Sequence, residues 1–185
     1  MRTERVDQPV IFDTDCLSAF AAFPSGIGII AETLGGVWTT SHAVGEFASA
    51  PDSIYINVHS AQAKGTLGVY DIFVGDPAMQ LFRELTAQER TTVMGDGEAA
   101  AVALVSTMGG TVASNNLKDI RKYCTSRNVP FICSDDILSL AVLKNVITLQ
   151  DACSMWNQMK SRRYAILPKY DFHEAFKRFR EDKER

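Results

Sequence analysis

The chain is poor in the residues that build the commonest special sites. It has four cysteines and three histidines in 185 residues. Cys16, Cys124, Cys133 and Cys153 are widely spaced, with no Cys-x-x-Cys pair. That argues against a disulfide framework or a zinc site and for reduced thiols of a cytoplasmic protein. Cys16 has no adjacent base, so it does not read as a nucleophile. His42, His59 and His173 are scattered; His42 lies four residues before Glu46 and reads as structural. No apolar run approaches a membrane span. The opening MRTERVDQ carries charges of both signs and does not read as a signal peptide. Positive charge is not in excess: the net charge is −3, so only a local basic patch would serve nucleic acid. No Gly-x-Gly-x-x-Gly follows the first apolar run, which removes a Rossmann-type nucleotide site. There is no internal repeat and no low-complexity tract.

What is present is ordinary globular material, 46% hydrophobic and 22% charged, enough for one domain with a sizeable core. The organising stretch is Pro9–Ser18, PVIFDTDCLS. Val10, Ile11 and Phe12 read as a buried strand that stops at Asp13-Thr14-Asp15. Such strand ends are where α/β sheets present ligand groups. Helix capping is the plain alternative role for these acids, and it suits Asp15 better than Asp13.

Beyond it the spacing predicts helices over Cys16–Phe23 and Ile27–Leu34, broken at Pro24-Ser25-Gly26. A strand follows at Val37–Thr40, then a helix over His42–Ala50 capped by Ser41. Ile54–Ile56 and Leu67–Val74 read as strand-like. Helices are expected at Pro77–Leu85 and Ala99–Met108, with Thr86 and Glu89 as a capping box between them. Next come a strand at Thr111–Ala113, a helix at Leu117–Ser126, a strand at Val129–Cys133, and helices at Ile137–Lys144 and Asp151–Arg163. A terminal helix over Asp171–Arg185 carries Phe172, Phe176 and Phe179 on one stripe. Alternating strands and helices mean an α/β fold with a mainly parallel sheet.

Acids and amides recur at strand ends and helix starts: Asp13, Glu46, Glu98 and Asn116, with Asp119 one helical turn beyond Asn116. Glu98 in a first turn also suits the helix dipole. Oxygen donors without His or Cys favour Mg²⁺ or Mn²⁺ over zinc. Such ions activate water and neutralise phosphate in phosphodiester cleavage.

At these residues the chain resembles the PIN-domain ribonucleases. FDTDCLSAF resembles the family's opening strand, SHAVGEF its second motif and GDGEAAAVALVSTMGG its third. TVASNNLKDIRKYC is similar to the fourth, and VPFICSDDILSLAV to the closing strand and helix, in order from about Pro9 to Leu149. The resemblance implies a three-layer α/β/α sandwich around a central mainly parallel sheet. It implies one or two Mg²⁺ or Mn²⁺ ions and hydrolysis of RNA by metal-activated water. Asp13, Glu46 and Glu98 then fall on the family's acids, and Asn116 where it usually has aspartate. The metal set is Asp13, Glu98, Asn116 and Asp119. Asp15 and Ser114 read as second-shell or substrate contacts, and Arg121 and Lys122 as phosphate contacts. An amide oxygen at Asn116 ligates without adding charge.

Residues 1–150 then form the PIN-like domain and 151–185 a helical extension packed on it. Arg162, Arg163, Lys169, Lys177, Arg178 and Arg180 alternate with acids there, as on a solvated helix. The resemblance to VapC-like toxins implies RNA as substrate, an antitoxin or a second copy as partner, and no membrane. Two alternatives stand beside it. One is a PIN-like RNA- or protein-binding module without catalysis, which Asn116 keeps open. The other is a haloacid-dehalogenase-type phosphatase with Asp13 as nucleophile, whose motif order disagrees with Gly95-Asp96 preceding Ser114.

Overall fold

The computed structural model describes residues 6–87, 94–162 and 167–183. Its centre is β1 (Val10–Phe12), three fully buried apolar residues. β1 pairs in parallel with β2 (Val37–Thr40) on one side and β4 (Thr111–Ala113) on the other. β3 (Leu67–Tyr70) extends the sheet beyond β2, and β5 (Phe131–Ile132) beyond β4. All pairings are parallel and the strand order is β3-β2-β1-β4-β5. Helices cover both faces, so the fold is the α/β/α sandwich expected. Register matters for function. Phe12 lies opposite Thr39 and Ala113, so the carboxyl ends of the three central strands are nearly level. Residues just beyond them, Asp13 and Ser114 among them, leave the sheet at one edge.

The helices are α1 (Thr14–Ala21), α2 (Gly26–Leu34), α3 (Ser41–Glu46), α4 (Asp52–Ala63), α5 (Pro77–Thr86), α6 (Asp96–Met108), α7 (Leu117–Arg127), α8 (Ser134–Leu143), α9 (Leu149–Ser161) and α10 (Phe172–Lys183). A 3₁₀ turn at Phe47–Ser49 continues α3. Two core clusters flank the sheet. One joins Phe12, Phe20, Ile30 and Phe47 to Trp156, Met159, Phe172 and Ala175. The other joins Ile11, Val102, Val112 and Ile120. Alternate residues of β1 thus feed opposite faces, as a sheet covered on both sides requires. No single helix among the described residues is long and apolar enough to cross a membrane. α1 and α2 together pass on composition but are bent by 116°, and their apolar residues lie in the core.

Several boundaries differ from expectation for identifiable reasons. Ile54–Ile56 is helix, not strand. Ile54, Val58 and Ala61 recur at helical spacing and are buried, while Tyr55 and Ile56 are exposed. β-branched content suggested a strand, and the longer 3.6-residue period overrides it. The β3 strand stops at Tyr70 rather than Val74. Asp76 Oδ2 accepts the Phe73 N–H at 2.9 Å and turns the chain. Thr40, not Ser41, caps α3, its hydroxyl accepting the Ala43 N–H at 3.1 Å. Gly68 is required by contact: a Cβ there would sit 2.1 Å from the Trp38 ring that packs across it. Glu89 and Arg163 lie outside the described residues.

Candidate functional site

Asp13 follows β1 and is wholly buried. Its Oδ1 accepts the Cys16 N–H at 2.7 Å and so caps α1. The capping role therefore belongs to Asp13 rather than Asp15, which lies in the first turn. A cap alone does not account for this carboxylate, because Oδ2 is buried with no hydrogen-bond partner. Burial pushes the Asp13 pKa well above the ordinary range. The Ser114 hydroxyl and the Cys16 N–H oppose that rise, while Glu98 and Asp15 add to it.

The other expected residues arrive from different elements. Glu46 ends α3, and its Oε1 accepts the Gly97 N–H at 2.9 Å, which ties α3 to the first turn of α6. Glu98, one residue on, is 8% exposed. Its pKa rises to about 7, first through desolvation and then through Asp119 and Asp15, with an Asn116 hydrogen bond opposing. Asp15 is also raised, by burial and by Glu46. Asp13, Asp15, Glu46, Glu98 and Asp119 thus form one electrostatic group, each interacting with another member. Among the described residues no lysine or arginine pairs with any of the five. Arg121 and Lys122 are exposed on α7, the helix that begins beside Asn116.

Asn116 takes a part the sequence did not suggest. Its Nδ2 donates to Asp119 Oδ2 at 2.8 Å, and it lies near enough to Glu98 to oppose the rise of that carboxyl's pKa. The amide thus gives a donor to Asp119, and its oxygen is the atom through which it would serve a cation. Its own N–H donates to Ser114 Oγ at 3.1 Å. Aspartate at this position would remove the donors and add a charge. Asn116→Asp should lower the apo melting temperature by about 2–4 °C, the effect of about 1 kcal/mol in a chain of this size. Added Mn²⁺ should then raise the melting temperature further than it does in wild type. Thermal scans with EDTA and with Mn²⁺ measure both.

Two features were not legible as site residues. Thr14 Oγ1 is buried without a partner. It faces Gly97, where a Cβ would lie 2.5 Å from that oxygen and 3.3 Å from Glu46 Oε1. Gly97→Ala should cost about 1–2 kcal/mol through overpacking, outweighing the better helix propensity of alanine. Urea midpoints would measure it. The second feature is the trio Cys133, Asp135 and Asp136, buried, with ligand atoms all within 4.8 Å of one another. It is the only such trio among the described residues, and Asp13, Glu98 and Asp119 do not form one. Both carboxylates in the trio have structural work. Asp136 Oδ2 accepts the Cys133 N–H at 3.0 Å in a capping box, and Asp135 Oδ2 accepts from Tyr170 at 2.7 Å. The signal for it was the Ser-Asp-Asp that follows an apolar run, as Asp-Thr-Asp does after β1.

The donor set around Asp13 fits a hard divalent cation: oxygen ligands, an orphaned buried carboxylate oxygen, and, among the described residues, no cationic side chain to neutralise the group. Burial pushes the Cys16 thiol well above its ordinary range, so it is not a thiolate nucleophile. Compared with family models, curated proteins and solved structures, the chain finds no match in any of the three.

Proposed function

We propose that the chain is a Mg²⁺- or Mn²⁺-dependent ribonuclease of PIN type that hydrolyses RNA phosphodiester bonds at the Asp13 edge of the sheet. The observation that carries the reading is the unpartnered, wholly buried Asp13 Oδ2 beside Glu98, inside a group of five acids without a countercharge among the described residues. Asp13, Glu98 and Asp119 would hold the cation in part through waters, since their oxygens do not all lie within 4.8 Å of one another. It would supply an activated water and neutralise charge on the phosphate. Glu46 anchors the first turn of α6, which carries Glu98. Asn116 orients Asp119. Ser114 holds Asp13. Arg121 and Lys122 sit on the exposed flank, where a phosphate backbone would pass.

A non-catalytic RNA- or protein-binding module is the second reading. Asn116 favours it, because its amide already donates to the Asp119 carboxylate. Cleavage of a mixed RNA pool with Mn²⁺, Mg²⁺ or EDTA separates the two readings. Cleavage that requires the ion and stops in EDTA supports the nuclease. RNA retention without cleavage under either ion supports the module.

A further inference from the structure

Beside the acid group lies a cavity of about 450 Å³ between α1, the turn after α3 and the start of α4. This is within the usual range for ligand pockets. Its lining includes Asp15, Ser18, Glu46, Ser49, Pro51 and Ile54. Pro51 and Ile54 give it an apolar wall. Its polar lining is dominated by acceptors. Asp15 and Glu46 both turn carboxyl oxygens to it, and Glu46 Oε1 already accepts the Gly97 N–H. The Ser18 hydroxyl proton is committed to the Thr14 carbonyl at 2.6 Å, leaving lone pairs toward the cavity. A flat, partly apolar ligand rich in donors is what such a lining selects.

We infer that this cavity is a base-recognition subsite that takes guanine from the RNA strand, next to the phosphate that is cleaved. The inference rests on the nuclease reading and names its sequence preference. Guanine alone among the four bases presents two adjacent donors, N1–H and the exocyclic N2 amine, which match one carboxylate as a parallel pair. Adenine and cytosine set an acceptor nitrogen beside their single amine. Uracil flanks its one N–H with two carbonyls, which would face lone pairs here. The cavity shares Asp15 and Glu46 with the acid group, so a base held in it belongs to a nucleotide adjoining the scissile bond. A cationic side chain of a protein partner is the competing donor-rich occupant. The guanine reading is favoured because the wall formed by Pro51 and Ile54 suits a flat ring.

The test uses the full chain with Mn²⁺ and single-stranded oligoribonucleotides that carry one guanosine in an otherwise uridine strand. Matched strands replace that guanosine with inosine, which lacks the N2 amine, or with uridine. Cleavage at a fixed offset from guanosine, about tenfold weaker with inosine and weaker still with uridine, supports the subsite. Ser49→Trp, which fills the cavity from an exposed position, should remove the preference while leaving metal-dependent cleavage in place. Inosine tests the same point without altering the protein, should that variant fold poorly. Equal cleavage of all three strands overturns the subsite but leaves the nuclease standing. Preference for uridine, or guanosine preference undiminished in a folded Ser49→Trp, also overturns it. So does a lysine-rich peptide that protects the cavity residues from solvent exchange where guanosine monophosphate does not. Absence of cleavage from every strand overturns the nuclease reading, and the subsite with it.

Discussion

Asp13→Asn should lose about 10²–10⁴-fold in RNA cleavage, because the cation that supplies several kcal/mol of charge stabilisation loses a carboxylate ligand, while the protein stays folded. Both halves follow from one environment. Asparagine is as good a helix cap as aspartate, so the bond from the Cys16 N–H survives. The substitution removes a carboxylate whose ionised form is disfavoured by burial and by Glu98 and Asp15. Stability at neutral pH should therefore hold or rise, by about 1 kcal/mol, where a purely structural carboxylate would lose it. Urea unfolding and cleavage measured on the same preparation test the pair. A folded Asp13→Asn protein with full activity would sink the site assignment. A destabilised one would mean that Oδ2 has a partner in solution.

The second large effect is on pH. Glu98 titrates near pH 4.5 in the unfolded chain and near about 7 when folded. Between those values the folded state holds the proton more tightly. Unfolding free energy should therefore fall as pH rises from about 4.5 to 7 and then level off. For a side chain this buried the loss is up to about 3 kcal/mol, since each unit is worth about 1.4 kcal/mol. Asp13 and Asp15 are raised as well and push the same way. The difference between wild type and Glu98→Gln isolates the Glu98 share: the glutamine variant should show a flatter slope in EDTA. Parallel pH profiles for the two proteins would show that Glu98 is solvated and ordinary.

The sheet was legible where apolar runs end abruptly. Val37–Thr40 and Thr111–Ala113 stand where the spacing placed them, because each is bracketed by glycines or polar turn residues. α4 was not, since Ile-Tyr-Ile satisfies strand propensity locally and only the spacing of Val58 and Ala61 reveals the helix. For the site, residue identity and place in the chain brought Asp13, Glu46, Glu98 and Asp119 to one edge. The sequence could not show the direction of hydrogen bonds. Whether Asn116 offers oxygen or N–H depends on the distance from its amide to Asp119 and Glu98, which only the fold determines. The Asp135–Tyr170 bond spans 35 residues and has no local signature.

Trp156, Met159, Phe172 and Ala175 share a core with Phe12, the residue directly before Asp13. This has a consequence in time as well as in space. During synthesis the strand that ends at Asp13 emerges early, but the packing behind it closes only once α10 has been made. Until then Asp135 lacks its tie to Tyr170, and the core around Trp156 lacks Phe172 and Ala175. Domains fold as units once their chain is out. On the proposed reading, the acids that would cut RNA therefore lack their finished, dry setting until α10 has left the ribosome.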